Sequence, residues 1–485
     1  MTKPLDIPLA EVQRGLADDN PWWVSGKGLD PELREWPRRA YFPAFNTLVR
    51  DTSVRRAQLL MGPRRVGKTV MMMHAIQALL DDGVPGNRIL YARLDVPLFA
   101  DRSLESLLST FVDLHGHHVD ASSGPLWVFF DEIQYLHDWE VHLKSLVDGH
   151  RYIRFVASGS AAAAMRMKSR ESGAGRFTDF VLPPLTFAEY LAFAGVEADL
   201  IRAEQTAGAA FASYHAINID ALNREFVNYV NYGGFPEAVM NASVRANPAR
   251  YLKQDIVDKV LQKDLPSLYG IRDPQELNRF FTVLAYNTAD EINLNALSKR
   301  TGIKKQSLGE YLEYLEAAFL VKRVNRITDT AQRLQRERAF KVYLTNPSIR
   351  AALFGLVRAD DPAMGRLAET AVWAQWLHSP STIASLHYAR WKSGRTEYEV
   401  DLVSLEPSTQ KPRFAVEIKW SDNHFSDWGE IKGVREFARL YPLKRNPLIT
   451  TRTLSGMADD AGVAIEFMPT SLHCYTIAKN LLREP

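Results

Sequence analysis

The feature that most constrains the fold is a glycine-rich loop between an apolar segment and a helical one. The apolar stretch Gln58–Met61 leads into the pattern G-x-x-x-x-G-K-T, and apolar residues then recur with helical spacing over Val70–Leu80. Glycines at positions 62 and 67 let the chain turn tightly and direct backbone N–H groups inward. Strand, loop and helix in this order predict a phosphate-binding P-loop.

The P-loop is predicted to bind ATP and Mg²⁺. Its N–H groups and the positive end of the following helix attract phosphate. We expect Lys68 to reach the β- and γ-phosphates and the Thr69 hydroxyl to hold Mg²⁺. The predicted ATP-binding residues are Gly62, Pro63, Arg64, Arg65, Val66, Gly67, Lys68 and Thr69.

A second motif predicts hydrolysis as well as binding. The apolar run Leu126–Asp131 ends in two carboxylates. Asp131 is expected beside the Mg²⁺, and Glu132 where it orients or deprotonates the attacking water. The alternative is an ordinary strand end with acidic residues in its turn. Because this motif follows a P-loop, we favour hydrolysis.

Two further residues complete the predicted catalytic set of Lys68, Asp131, Glu132, Ser158 and Arg176. Ser158 follows the apolar stretch Ile153–Ala157, and its side chain is expected between the two preceding strand ends, near the γ-phosphate or the water. Arg176 is interpreted as an arginine finger acting on a neighbouring subunit, or else as an exposed structural arginine.

Strands and helices alternate through the region around these motifs. This alternation, with near-continuously apolar strands, predicts a parallel sheet covered by helices on both faces. The predicted strands are Gln58–Met61, Ile89–Asp95, Leu126–Asp131 and Ile153–Ala157, and the predicted helices are Val70–Leu80, Leu104–Leu114 and Trp139–Asp148.

Length, charge and cysteine content limit the class of protein. A chain of 485 residues is long enough for several domains. The net charge of +2 means that any nucleic-acid surface must be local. The single cysteine, Cys474, excludes an internal disulfide and fits a reducing cytosol. With no signal segment and no run of about twenty apolar residues, we expect a soluble cytoplasmic protein without a membrane partner.

Residues 273–358 carry a helix-turn-helix pattern. A helix within Leu294–Ile303 and a second over Ser307–Phe319 are followed by the basic stretches Lys322–Arg326 and Arg333–Lys341. This arrangement predicts a winged helix that contacts DNA phosphates, and the alternative is a lid or a protein interface. The predicted DNA-binding residues are Lys304, Lys305, Arg333, Arg336 and Arg338, with Lys299 and Arg300 nearby.

The C-terminal region has the residue pattern of a PD-(D/E)xK nuclease. A helix over Gly365–Leu377 precedes strands at His387–Trp391, Tyr398–Ser404 and Arg413–Trp420. The resemblance implies that Asp401 and Glu417 bind Mg²⁺, that Lys419 positions water or stabilises the phosphorane, and that Glu369 assists. The alternative is an alternating polar strand with a surface Glu–Lys pair.

Several motifs in order resemble a prokaryotic AAA+ ATPase family whose C-terminal domain, of unknown function, is similar to restriction endonucleases. They are Gly62–Thr69, Phe130–Gln134, Ser158–Ser160, Gly175–Arg176, Pro184–Tyr190 and Tyr232–Glu237. The resemblance implies a ring-shaped, hexamer-like homo-oligomer and a polar residue called sensor 1, for which both Ser158 and Ser160 are candidates.

The sequence therefore predicts a multidomain α/β protein. The expected parts are an N-terminal lead-in (1–51), an AAA+ P-loop core (52–182), a helical lid (183–272), a winged helix (273–358) and a restriction-endonuclease-like domain (359–485). The expected function is ATP hydrolysis coupled to DNA binding or remodelling. Two alternatives stay open: a nucleotide-controlled switch for protein partners with an inactive C-terminal domain, and an ATP-gated DNA nuclease.

Overall fold

The computed structural model describes residues 7–24, 28–99, 102–120, 122–160, 175–204, 212–327, 340–460 and 462–482. The chain divides into two compact units, Met1–Leu182 and Pro183–Pro485. We call them unit 1 and unit 2 and describe each by itself. The finer domain boundaries within each unit stay predictions.

Unit 1 is built on a five-stranded sheet in which every neighbouring pair is parallel. The strand order β2-β3-β4-β1-β5 places β4 between β3 and β1. In a parallel sheet the carboxyl ends of all strands meet at one edge, so the P-loop after β1 and the acidic pair after β3 lie on either side of the end of β4. The strands are β1 (Ala57–Met61), β2 (Ile89–Arg93), β3 (Leu126–Asp131), β4 (Ile153–Gly159) and β5 (Phe177–Val181).

The helices of unit 1 form two groups. Helix α4, which leaves the P-loop, packs against α3 and β4, whereas α5 packs against α1 and α6. Each predicted helix is present within two residues of its expected ends. The helices are α1 (Leu9–Asp19), α2 (Pro31–Glu35), α3 (Phe42–Arg50), α4 (Lys68–Asp81), α5 (Leu104–His115) and α6 (Trp139–Gly149).

The N-terminal segment of unit 1 closes the open edge of β2. The Asn20 side chain donates to the Tyr91 carbonyl and accepts from the Tyr91 N–H, both at 2.7 Å. The indole N–H groups of Trp22 and Trp23 both donate to the Ile89 carbonyl, at 3.1 and 2.8 Å. An unpaired strand edge is a template for aggregation, so these bonds give the lead-in a structural role.

The two P-loop glycines are required for different physical reasons. Gly67 has φ +92°, a left-handed conformation that side chains disfavour. Gly62 instead lies against the backbone, because a Cβ built on it would be 2.2 Å from the Leu182 carbonyl oxygen. Gly62 therefore allows the end of β1 to approach the end of β5.

In its described residues, the first region of unit 2 is helical apart from one pair of antiparallel strands. The sequence predicts a mostly helical segment over 183–272, but strands β6 (Ile201–Glu204) and β7 (Ser213–Ala216) pair antiparallel within it. The helices are α7 (Phe187–Phe193), α8 (Glu197–Leu200), α9 (Ile219–Tyr232), α10 (Pro236–Met240), α11 (Ala242–Ala246) and α12 (Leu265–Tyr269), with π-helical turns at Ala249–Asp258 and Val260–Asp264.

A three-stranded antiparallel sheet follows, in the order β8-β10-β9. Helix α15 begins two residues earlier than expected and ends at Ala317, because Phe319 has φ +55° and cannot continue it. The elements are α13 (Pro274–Tyr286), β8 (Glu291–Ile292), α14 (Leu294–Thr301), α15 (Lys305–Ala317), β9 (Val321–Asn325), β10 (Phe340–Leu344) and α16 (Ser348–Phe354).

The C-terminal part contains a mixed six-stranded sheet in the order β11-β12-β13-β14-β16-β15. The β13–β14 and β14–β16 pairs are parallel and the others antiparallel. The elements are α17 (Met364–Trp376), α18 (Pro380–Ile383), β11 (Leu386–Ser393), β12 (Thr396–Leu405), β13 (Pro412–Glu417), α19 (Lys432–Leu440), β14 (Leu448–Thr451), β15 (Gly456–Asp460), β16 (Val463–Pro469) and α20 (Thr470–Leu481).

The prediction that one strand extends to Trp420 is wrong. Strand β13 ends at Glu417, because the next two N–H groups bond to side chains instead of a neighbouring strand. Ile418 donates to the Asp401 carboxylate at 2.8 Å, and Lys419 donates to the Thr450 hydroxyl at 2.8 Å. Lys419 therefore belongs to a loop at the strand end.

Unit 2 has a continuous core that joins its first and last segments. Phe187 and Tyr229 lie in the same buried cluster as Trp373, Val416 and Tyr475. A second cluster under α19 covers the other face of the sheet. Residues 183–272, predicted as a lid, thus share a hydrophobic core with the C-terminal sheet. Within the described ranges, no helix combines the length and apolar character needed to cross a bilayer.

Replacing Gly62 by alanine should destabilise the chain. The added Cβ would overlap the Leu182 carbonyl oxygen, and relieving such overpacking typically costs about 1–3 kcal/mol. Urea unfolding of the full chain measures this cost. Gly149→Ala is the matched control, since nothing lies within 4 Å of the new Cβ there. Equal stability of the two variants would contradict the close approach at Gly62.

Acidification should destabilise unit 2 through His473. This side chain is buried in α20, its Nε2 has no hydrogen-bond partner among the described residues, and burial lowers its pKa to about 4. In the unfolded chain His473 binds a proton below about pH 6.5, whereas in the folded chain it stays neutral down to about pH 4. The free energy of unfolding therefore decreases as the pH is lowered from 7.5 to 5. Between pH 7.5 and pH 5 the loss should be about 2 kcal/mol.

His473→Leu removes this titration, so urea unfolding at the two pH values should show a smaller loss in the variant than in the wild type. The comparison cancels the contributions of all other titrating groups. The same loss in both proteins would mean that His473 is not the group responsible.

Candidate functional site

The Asp131 carboxylate is the centre of a hydrogen-bond network at the edge of the unit 1 sheet. Its Oδ2 accepts from the Thr69 hydroxyl at 2.7 Å and from the Tyr91 hydroxyl at 2.8 Å. Its Oδ1 accepts from the Ser158 hydroxyl and, at 3.1 Å, from the Glu132 N–H. Asp131 is buried, and four donors from four separate segments fix its position. The structure therefore brings Thr69, Asp131, Glu132 and Ser158 together.

Lys68 is held inside the P-loop. Its ammonium group donates to the Gly62 carbonyl at 3.1 Å and to the Pro63 carbonyl at 2.9 Å, and the side chain is buried at the start of α4. Arg39 supports the loop from outside, donating to the Val66 carbonyl at 2.7 Å. A cation within reach of the phosphate-binding loop is thus held in place by the loop's own backbone.

Glu132 is positioned by two polar side chains. Gln134 donates to its carboxylate and, at 3.1 Å, to the Ser160 hydroxyl, which itself lies 3.3 Å from the same carboxylate. Glu132 has φ +56°, a strained conformation for a residue with a side chain. Both candidate serines therefore contact the acidic pair, Ser158 through Asp131 and Ser160 through Glu132.

Arg176 lies away from this network. It precedes β5 at the amino end of the strand, the edge of the sheet opposite the P-loop, and its side chain forms an ion pair with Asp148. An arginine at this edge cannot serve the nucleotide site of its own subunit. Its proposed action on a neighbouring subunit stays a prediction.

The donor set beside the P-loop suits Mg²⁺. A threonine hydroxyl and a carboxylate are hard oxygen ligands, and here they lie in contact. Thr69 and Asp131 are the two side chains that would hold the ion, with phosphate oxygens and water completing the coordination.

A second polar cluster lies in unit 2 and contains the nuclease-like residues. Asp401 and Glu369 both contact the Lys341 ammonium, at 3.4 and 2.9 Å. Glu417 pairs with Lys419 at 2.9 Å, and its Oε2 has no hydrogen-bond partner among the described residues. Glu369 and Asp401 therefore meet at Lys341, which the sequence pattern does not include, while Glu417 and Lys419 form a pair of their own.

Burial changes the acidity of these carboxyl groups. Loss of solvent, followed by repulsion from Asp401, raises the pKa of Glu369 to about 7 and that of Glu417 to about 8. The Tyr343 hydroxyl donates to Glu369 at 2.6 Å, and burial raises the pKa of this phenol well above its usual value.

The cluster does not fit a divalent cation. Oδ1 of Asp401 already contacts a cation, the Lys341 ammonium group at 3.4 Å, and Oδ2 accepts from the Ile418 N–H. In the part of the chain that the structure describes, no three histidine, cysteine, aspartate or glutamate side chains are grouped so that they could hold a metal ion. The predicted Mg²⁺ site at Asp401 and Glu417 is therefore not supported by the geometry.

A cleft of about 480 Å³ opens beside this cluster. Its wall carries cationic side chains next to the nuclease-like acids and an indole ring. The lining includes Arg366, Lys419, Arg452, Trp420, Glu369 and Asp401.

Two of the five predicted DNA-binding residues lie in the described part of the chain. Lys304 and Lys305 are exposed at the start of α15, next to the exposed Lys299 and Arg300 at the end of α14. Arg333, Arg336 and Arg338 lie outside the described residues. In the first basic stretch, Arg323 pairs with Glu316 at 3.2 Å. Lys341, at the end of the second stretch, is buried.

Sequence reasoning missed Tyr91, Gln134 and Lys341. Gln134 is the last residue of the motif Phe130–Gln134, so its place in that motif could have identified it. Tyr91 sits mid-strand, and Lys341 ends a basic stretch, so nothing local marks either one as a contact of a carboxylate far away in sequence.

Two family models match parts of the chain. Residues 54–191 match the AAA domain, and residues 223–360 match a domain of unknown function, DUF8612. Among known proteins, an uncharacterised protein of Haemophilus influenzae is 24% identical over 54% of this chain and 60% of its own length. An uncharacterised protein of Methanocaldococcus jannaschii is 24% identical over 73% of each chain.

The solved structure of C. elegans PCH-2 aligns with 62% of this chain and 71% of its own, at 12% identity and a TM-score of 0.29. A TM-score this low does not indicate a shared overall fold. The assignment depends instead on the matched family and on the parallel sheet with its P-loop. Residues 54–191 of this chain are therefore similar to the AAA domain, and they contain the P-loop and the parallel sheet.

Proposed function

We propose that the protein is an ATPase that binds ATP with Mg²⁺ and hydrolyses it in unit 1. The observation that carries this proposal is the contact between Thr69 and Asp131 at 2.7 Å, with Glu132 next in the chain. A binding protein that did not hydrolyse ATP would not need a positioned carboxylate beyond the metal ligand.

Each residue has a separate role in this proposal. Lys68 replaces its hydrogen bonds to the Gly62 and Pro63 carbonyls with contacts to β- and γ-phosphate oxygens. This exchange costs little free energy, because the two carbonyls belong to the same loop that binds the phosphates. Thr69 and Asp131 hold Mg²⁺. Glu132 orients the attacking water, while Gln134 and Ser160 hold its carboxylate in place.

Lys68→Ala and Glu132→Gln should both lower the ATP hydrolysis rate by roughly 10²-fold or more, because each removes a group that stabilises charge or water in the transition state. The two should differ in binding: Lys68→Ala weakens ATP binding, whereas Glu132→Gln retains it. Steady-state turnover and binding of a fluorescent ATP analogue measure the two effects.

Lys144→Ala on α6 is the control and should leave both quantities unchanged. Full turnover in Lys68→Ala, or no hydrolysis by the wild type with and without DNA, would refute the proposal.

We propose further that unit 2 couples hydrolysis to DNA. The segment α13-β8-α14-α15-β9-β10 has the order of helices and strands used by winged helices. Lys299, Arg300, Lys304 and Lys305 are exposed together at the turn between α14 and α15. Since the net charge of the chain is only +2, this cationic group is a local feature suited to phosphates.

Replacing Lys304 and Lys305 together by alanine should weaken duplex DNA binding and reduce the slope of log K against log salt by about 2, roughly one for each lost phosphate contact. Fluorescence anisotropy at several salt concentrations measures both. Lys392→Ala with Lys411→Ala is the charge-matched control, since both lysines are exposed elsewhere in unit 2.

An unchanged slope would remove this surface from the proposal. If DNA also left the ATPase rate unaffected while a protein partner stimulated it, the function would instead be that of a nucleotide-controlled switch for proteins.

The proposed working form is a ring-shaped homo-oligomer. Arg176 lies at the sheet edge opposite the P-loop, on the surface of unit 1, where it is accessible to a neighbouring subunit. Its partner Asp148 is half exposed, and an exposed ion pair contributes little to the free energy of unfolding. Arg176 can therefore exchange Asp148 for a phosphate group at little cost in free energy.

A further inference from the structure

The nuclease-like cluster of unit 2 already contains a cation that belongs to the chain. Lys341 extends from β10 and its ammonium group lies 2.7 Å from Glu399, 2.9 Å from Glu369 and 3.4 Å from Asp401. Its side chain is only 5% exposed. Three carboxylates therefore surround one buried ammonium group, which is the cation of this cluster.

The backbone holds this lysine firmly. Strand β10 is the middle strand of its sheet, and Lys341 is paired with Glu291 of β8 on one side and with Val324 of β9 on the other. Just beyond β9, the Ile327 N–H donates to the Tyr388 carbonyl of β11 at 2.9 Å. The small sheet is thereby tied to the sheet that carries Glu399 and Asp401.

The ammonium group stays charged in this setting. Burial alone would lower the pKa of Lys341, but attraction from Glu369, Asp401 and Glu399 outweighs burial and raises the pKa well above its usual value. The Tyr388 ring, 5.5 Å away, adds a favourable cation–π contact. The lysine therefore neutralises carboxylates that would otherwise repel one another.

A divalent cation and Lys341 exclude each other. Mg²⁺ binds carboxylate oxygens at about 2.0–2.1 Å, so an ion shared by Glu369 and Asp401 would be in contact with an ammonium group that lies 2.9 and 3.4 Å from the same oxygens. Their like charges would add electrostatic repulsion in a buried site.

We propose that Lys341 is the resident cation of this site and that it closes the site to divalent metal ions while β10 is in place. In this state the cleft beside it retains Arg366, Lys419 and Arg452, which suit phosphate groups, but it lacks the metal ion that would activate water for cleavage. This inference is independent of ATP hydrolysis in unit 1 and goes beyond it.

Mn²⁺ binding to the full chain tests the proposal, measured by isothermal titration calorimetry without nucleotide. Every protein carries Asp131→Asn, so that the P-loop ligand set does not contribute. The parent should show no Mn²⁺ site that depends on Asp401. Lys341→Ala should gain one site that is at least about tenfold tighter than any in the parent, and adding Asp401→Asn should abolish it.

Two variants separate this role from a general effect of removing a lysine. Lys322→Ala lies on the paired strand β9, where the side chain is 40% exposed, and should gain no Mn²⁺ site. Lys341→Met removes the charge but fills the space, so it should gain a weaker site than Lys341→Ala or none.

Thermal unfolding covers the case in which Lys341→Ala folds poorly. If Lys341 substitutes for a metal ion, Mn²⁺ should raise the melting temperature of Lys341→Ala and leave the parent unchanged. Three results would overturn the proposal: Asp401-dependent Mn²⁺ binding in the parent, a folded Lys341→Ala that gains no site, or an unfolded Lys341→Ala that Mn²⁺ does not restore.

Discussion

The hydrogen-bonded Asp131 carboxylate is the interaction on which the organisation of unit 1 depends. It receives donors from the helix after the P-loop, from the neighbouring strands β2 and β4, and from its own turn. Such convergence is available only at the carboxyl edge of a parallel sheet, where strands far apart in sequence end side by side. A buried carboxylate whose oxygens are hydrogen-bonded costs little free energy, and in the proposed ATPase it would lie beside the Thr69 hydroxyl before Mg²⁺ and nucleotide bind.

In unit 2, buried carboxylates are stabilised by an ammonium group instead of by neutral hydrogen-bond donors. Its acidic side chains Glu369, Glu399 and Asp401 come from helix α17 and from the interior of strand β12, and Lys341 from another sheet offsets their charge. Removing one partner from a buried ionic cluster lowers the free energy of unfolding far more than removing one partner of an exposed ion pair. Residues 183–272 and the C-terminal sheet share a hydrophobic core, with Phe187 and Trp373 in one cluster, and the domain boundaries predicted within unit 2 stay predictions.

Much of the fold could be predicted from local pattern. Apolar runs identified the first four strands of unit 1, because strands buried on both faces need continuous hydrophobic sequence. The order of the strands, the Tyr91 contact and the burial of Lys341 could not be predicted, since each joins segments that have no sequence signal for one another. The wrong prediction for β13 has a similar cause. Apolar and polar residues alternate as far as Trp420, but the Ile418 and Lys419 N–H groups donate to the Asp401 and Thr450 side chains and not to a neighbouring strand.

The sequence by itself determined the phosphate-binding loop and the residues around it. Glycine at 62 and 67, Lys68 and Thr69 identify this loop by their spacing alone. Only the tertiary structure decided what the basic residue Lys341 does. A lysine in a charged stretch reads as a solvent-facing side chain, and three carboxylates from distant elements, Glu369, Glu399 and Asp401, convert it into a buried counter-ion. Charge is local in sequence, but the environment that gives it a role is assembled only by folding.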